Sequence, residues 1–160
     1  MEKITSFVNW AKDNGWNITL KDSQTENLPQ EILGRYNIPG EYKTFVQNIE
    51  VCTNAAENVW FLCIEEYLPK SEDSFRWNEF ELISLGAADD DSELINDVKN
   101  YWDKHLPIIM SVKNGYEYYA INIESKEIVY GYEPEFEENE TVGNNFEEFL
   151  EKIIRQEIKL

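Results

Sequence analysis

An α+β domain, one mostly antiparallel sheet with helices at either end, is the fold class this sequence predicts. Three observations carry the prediction. Apolar residues repeat at helical spacing near both ends of the chain. Between them, Asn114-Gly115 is flanked by two apolar-aromatic runs, the strongest short signal of a β-hairpin. A further run, Glu127–Tyr132, follows after only Glu124-Ser125-Lys126 and extends the hairpin to a central meander. At 160 residues a single domain is expected, long enough to bury a substantial core.

The first helix rests on Ile4, Phe7, Val8 and Ala11, with Gly15 as its stop. Trp16–Leu20 reads as a short strand and polar Lys21–Asn27 as a loop. Leu28–Ile38 reads as a short helix ending in a turn. Pro39 opens the next helix, on which Tyr42, Phe45 and Val46 share a face. Val59–Ile64 and Glu79–Leu85 read as strands. In the second, Phe80, Leu82 and Ser84 alternate with Glu79, Glu81, Ile83 and Leu85. The charged stretch between them, Glu65–Asn78, reads as a long exposed connection.

Asp89-Asp90-Asp91-Ser92-Glu93 precedes a helix that runs to about His105, with the apolar stripe Leu94, Ile95, Val98, Tyr101 and Trp102. Acids at its start satisfy free N–H groups and face the positive end of the helix dipole. The hairpin strands are Ile108–Lys113 and Tyr116–Ile123, joined by Asn114-Gly115 as a type I′ turn. Glu133–Gly143 reads as an acidic loop. Asn145 and Glu148 match a capping box, and Phe146, Phe149, Leu150, Ile153 and Ile154 line the closing helix.

The chain carries 32 Asp and Glu against 14 Lys and Arg, a net charge of -18. That lies far beyond the roughly 2–8 units of a typical small domain. Such acidity with few aromatics would mean a disordered tail. Here 14% aromatic and 42% hydrophobic residues mean a folded domain with an acidic surface. That surface repels nucleic acid and anionic lipid and suits a basic protein partner. No apolar run of about 18 residues occurs, so no membrane span is expected. The Met1–Ser6 start lacks the basic and apolar character of a signal peptide, which makes the cytoplasm the expected compartment.

Cys52 and Cys63 are the only cysteines and His105 the only histidine, too few for a four-ligand zinc site. Cys63 lies in an apolar run and reads as core. His105 closes a helix before Leu106-Pro107, where a cation complements the dipole. Neither a Gly-x-Ser-x-Gly elbow nor a phosphate-cradling glycine loop is present. No catalytic residue, cofactor or metal is therefore expected. Carboxylate pairs for a hydrolase are too abundant for any one to stand out. Two acidic clusters are the partner-binding candidates. Asp89, Asp90 and Asp91 lack the alternate spacing and turn glycine of a calcium loop. Glu133, Glu135, Glu137, Glu138 and Glu140 surround Phe136, which reads as an apolar anchor inside a negative rim.

Ile38-Pro39-x-x-Tyr42-x-x-Phe45-Val46 resembles the first hallmark of the SUKH superfamily, which unites fungal Smi/Knr cell-wall-synthesis regulators with bacterial immunity proteins. Leu106-Pro107-Ile108 with Gly115-x-x-Tyr118-Tyr119-Ala120-Ile121 is similar to the family's central hairpin. Asn145-Phe146-Glu147-Glu148-Phe149-Leu150 is similar to its closing helix. The resemblance covers roughly residues 28–154. Where the family often has Asn-Gly, this chain reads Asn48-Ile49-Glu50-Val51, so the turn there differs. The resemblance implies a non-enzymatic α+β domain. One role it implies is an immunity protein that neutralises a cognate toxin, such as a nuclease, by stoichiometric binding. The other is a scaffold or regulator of cell-wall synthesis that binds cellular partners. An acidic inhibitor would suit a nuclease by mimicking the phosphates that its basic surface holds. The oligomeric state stays open.

Overall fold

Seven antiparallel strands form the centre of the molecule, ordered across the sheet as they are along the chain. The structure is a computed structural model that describes residues 1–160. Its elements are α1 (Glu2–Asp13), β1 (Asn17–Leu20), α2 (Gln30–Arg35), α3 (Gly40–Asn48), β2 (Ile49–Thr53), β3 (Val59–Phe61), a 3-10 turn (Ile64–Tyr67) and α4 (Glu79–Ala88). Then follow α5 (Ser92–Lys104), β4 (His105–Ser111), β5 (Glu117–Asn122), β6 (Ile128–Tyr132), β7 (Asn139–Gly143) and α6 (Phe146–Ile154). The α+β class, the central meander and the terminal helices agree with the sequence reading.

Every residue of β4 is buried, because helices cover both faces of the central strands. Strand alternation assigns the two faces. Phe61, Ile109, Tyr119 and Tyr130 are register partners along one of them. There Phe7 of α1 and Phe45 of α3 each lie 5.1 Å from Phe61, and Phe149 of α6 lies 5.3 Å from Tyr119. Trp60, Met110, Tyr118 and Gly131 are partners on the other face. Helices α4 and α5 cover it, with Phe80 5.8 Å and Trp102 5.0 Å from Tyr118. Helices α1 and α6 bury the residues that their periodicity indicates, except that Ile154 is only half-buried. Tyr42, from the Pro39-x-x-Tyr42 segment, is fully buried and donates to the Leu62 carbonyl at 2.5 Å. It thereby satisfies an acceptor that burial would leave unpaired.

Local expectations are overturned at several points. Glu79–Leu85 is helix, not strand. Helix α4 is apolar on nearly every side, and such a segment has no clear period of either kind. Its Glu81 turns inward and accepts from Arg35 Nη2 at 2.7 and 3.1 Å. Asn48–Val51 makes no turn: α3 runs directly into β2. Strand β3 stops at Phe61, and Tyr67 and Trp77 in the connection that follows are buried. His105 is the C-cap of α5, as the sequence reading has it, and also the first residue of β4. It is buried with its ring stacked 4.0 Å from that of Tyr101, and burial holds its pKa below the usual 6.5. Its Nδ1 engages the Tyr101 carbonyl at 2.7 Å, in the last turn of α5, so the ring serves as a helix cap. Of Asn114 and Gly115 only the glycine has positive φ, at 85°, which excludes a type I′ turn. Leu94 is exposed, so Val98 and Trp102 form the buried stripe of α5.

Candidate functional site

The pleat of β5 and β6 places Tyr119, Tyr130 and Tyr132 on one face, with successive rings 5.0 and 5.6 Å apart. This ladder runs out from beneath α6. Tyr119 is buried, Tyr130 half-buried, and Tyr132 is 56% exposed. Strand register brings carboxylates alongside it: Glu117 pairs with Tyr132 and Glu140 with Tyr130. Glu133, Glu135, Glu138 and Glu140 join the two outer tyrosines around a groove of about 250 Å³. None of these five glutamates has a Lys or Arg within ion-pair distance. Burial, reinforced by the nearby Glu117 carboxylate, pushes the Tyr130 hydroxyl up to about 12. It therefore stays protonated and can donate.

Buried hydrogen bonds fix the loop that carries these acids. The Tyr118 ring lies across Gly131, where a Cβ would come within 2.5 Å of it. The Tyr118 hydroxyl donates to the Phe136 carbonyl. It accepts from Tyr101 Oη at 2.5 Å, which in turn accepts from Asn139 Nδ2 at 2.9 Å. Each hydroxyl has one proton, so the bonds run in a single direction from Asn139 to Phe136. The Phe136 ring stacks on Phe80 with centroids 4.5 Å apart. Glu137 accepts from Trp102 Nε1 at 2.8 Å. Glu133 accepts the Tyr116 backbone N–H at 3.2 Å, and a Cβ on Gly115 would meet its Oε1 at 2.6 Å.

Of the residues singled out from sequence, Glu133, Glu135, Glu138 and Glu140 come together. Phe136 faces the core and is no solvent-facing anchor, because its ring completes the α4 packing. Glu137 is engaged with Trp102 and leaves the rim. The expected loop is also shorter, since Asn139–Gly143 forms β7. Asp89, Asp90 and Asp91 lie in the α4–α5 link and do not line the groove. Asp91 Oδ1 accepts the Leu94 N–H at 3.1 Å, as a helix cap. Sequence reasoning missed Glu117, Tyr130 and Tyr132 as site residues. Their signal was the i, i+2 spacing of Tyr130 and Tyr132 on a strand next to an acidic run.

No three His, Cys, Asp or Glu side chains converge as a metal site. Cys52 and Cys63 are buried free thiols, and burial raises both pKa values. No helix is long and apolar enough to cross a membrane. Compared with known proteins, residues 20–152 match the model of the SMI1 / KNR4 family (SUKH-1). No curated protein and no solved structure matches significantly.

Proposed function

The chain belongs to the SMI1 / KNR4 family (SUKH-1), and from that premise we propose that it is a binding protein that acts by occupancy, an immunity protein neutralising a basic toxin. One observation carries the proposal: solvent-reached tyrosines stand among five glutamates that have no cation of their own. Aromatic faces attract Lys and, more strongly, Arg, and carboxylates bind a guanidinium in a fixed geometry. Tyr is also enriched among the residues that dominate binding energy. The Tyr118 hydrogen bonds hold the loop in place, so little order has to be gained on binding. The net charge of -18 steers a basic partner inward and speeds encounter. A nuclease-type toxin fits this chemistry, because its phosphate-holding surface is basic.

Binding without catalysis is supported by where the reactive groups sit. The His105 Nδ1 is engaged with the Tyr101 carbonyl at 2.7 Å. Glu66, whose burial raises its pKa, accepts the Cys63 N–H at 2.8 Å, outside the groove.

The test is binding to a toxin encoded beside the gene. Tyr132→Ala should weaken the complex about tenfold or more. Glu135→Lys with Glu138→Lys should mainly slow association. Unchanged association at low salt together with unchanged protection of cells would remove the groove from the interface. Capture of cell-wall-synthesis proteins, with no toxin gene nearby, would favour the regulator role instead.

A further inference from the structure

The chain contains two Asn-Gly pairs, Asn14-Gly15 and Asn114-Gly115. In such a pair the asparagine amide carbon and the next backbone nitrogen can close a five-membered ring, and glycine puts no side chain in the way. Asparagine is also among the thermally labile residues. Both pairs are exposed, and both glycines have positive φ, 77° at Gly15 and 85° at Gly115. Exposure and glycine conformation therefore do not separate them.

Hydrogen bonding does. Asn14 caps the C-terminus of α1, where its Nδ2 donates to the Trp10 carbonyl at 2.8 Å. The Gly15 N–H donates to the Lys12 carbonyl at 3.3 Å. Both bonds must break before amide carbon and nitrogen can meet. At the β4–β5 tip the Asn114 side chain makes no hydrogen bond, and the bonds belong to its neighbours. Lys113 N–H donates to Ser111 Oγ and Tyr116 N–H to Glu133, each at 3.2 Å. Gly115 is itself required by the fold, because its φ is positive and a Cβ there would meet Glu133 Oε1 at 2.6 Å. A reactive pair is thereby kept at an exposed tip.

We infer that Asn114-Gly115 is a site of spontaneous covalent modification, at which Asn114 is converted to aspartate and isoaspartate while Asn14 is preserved. The only co-reactant is water. The Gly115 nitrogen gives its proton to hydroxide and bonds to Asn114 Cγ, closing a succinimide ring. The Cγ–Nδ2 bond breaks, and the leaving nitrogen takes a proton from water and departs as ammonia. A water molecule then adds to one of the two ring carbonyls. Cleavage between nitrogen and Cγ gives aspartate. Cleavage between nitrogen and the Asn114 backbone carbonyl carbon gives isoaspartate, through whose Cγ the main chain then runs. Nothing is oxidised or reduced. Isoaspartate lengthens the main chain by one carbon just before Gly115. Gly115 and Tyr116 are the residues that seat Glu133, so the rim of the acidic groove is disturbed from the hairpin side. Lys113 and Lys159 line the same small hollow as residue 114, so the new carboxylate is received beside cations. The chemistry does not depend on what the groove binds.

Incubation of the full chain in mildly alkaline buffer, followed over time by peptide mass spectrometry, tests this. The peptide holding Asn114 should gain about one mass unit and split into two chromatographic isomers. It should do so about tenfold or more faster than the peptide holding Asn14, whose two hydrogen bonds must first break. The rate should rise with pH, because the attacking nitrogen is the deprotonated one. In urea those hydrogen bonds are gone, and the two sites should age at similar rates. Amide exchange at Tyr116 should quicken in the isoaspartate form but not in Asn114→Asp, which adds the charge without the extra carbon. An unmodified Asn114, or equal ageing of the two sites in the folded chain, would overturn the inference. Unchanged Tyr116 exchange in the isoaspartate form would overturn its link to the groove.

Discussion

Replacing Tyr118 by Phe removes one oxygen and leaves the ring in place against Gly131, Phe80 and Trp102. Two hydrogen bonds go with it: the one to the Phe136 carbonyl and the one from Tyr101. Tyr118 is fully buried, so water does not replace its donor at the Phe136 carbonyl. An unpaired buried group of this kind costs about 1–3 kcal/mol. Tyr101 is only half-buried and still accepts from Asn139, so its lost acceptor adds less. The expected loss is about 2–3 kcal/mol in all. For a chain of this size that lowers the melting temperature by roughly 5–10 °C. Urea unfolding followed by tryptophan fluorescence measures the stability, and amide exchange at residues 135–138 locates the effect. Exchange there should quicken more than in β4 and β5. A change below about 0.5 kcal/mol, with loop protection intact, would mean that these hydroxyls do not fix the loop.

Phe136→Ala should cost about 3–5 kcal/mol, as for a core aromatic. If it instead left stability unchanged and abolished partner binding, Phe136 would be the anchor that the sequence suggests. Gly131→Ala should cost about 1–3 kcal/mol, because the added Cβ forces the Tyr118 ring aside; the readout is the urea midpoint. His105 gives a pH dependence of fixed sign. Its folded pKa lies below the ordinary 6.5, through burial and the neighbouring Lys104. The unfolded chain therefore takes up the proton first as pH falls. The contribution is complete above about 6.5 and is lost as pH falls through the folded value. Unfolding curves between about pH 7 and 5 should show this component in the wild type and lack it in His105→Gln. Parallel profiles for the two proteins would contradict it.

The elements read correctly from sequence are those whose apolar pattern has one buried side. Ile4, Phe7, Val8 and Ala11 in α1 and Phe146, Phe149, Leu150 and Ile153 in α6 each face a single layer, so their period is plain. Helix α4 failed because tertiary position decides it. Phe80 and Glu81 are drawn inward by Phe136 and Arg35, while Ile83 stays outside, and no period in the sequence tells helix from strand there. The acidic loop was readable as a cluster but not as a surface. Glu137 leaves it for the Trp102 indole, and Phe136 leaves it for Phe80, through contacts more than 30 residues away in sequence. The tyrosine ladder depends on the β5–β6 register and on where α6 stops covering the sheet. Composition alone assigns those aromatics to the core.

The strict neighbour-to-neighbour order of the sheet has a consequence for the chain as it is made. Each strand joins the one before it, so during synthesis the newest strand is a bare edge, open to pairing with a second nascent chain. Strand β6, Ile128-Val129-Tyr130-Gly131-Tyr132, is an apolar and aromatic edge of this kind until β7 covers it. Five glutamates between positions 133 and 140 leave the ribosome directly behind it. They are placed as gatekeepers, whose like charge keeps neighbouring polysomal chains from zipping together. Neutralising them would then lower the yield of soluble protein even where the folded state and its groove are unharmed.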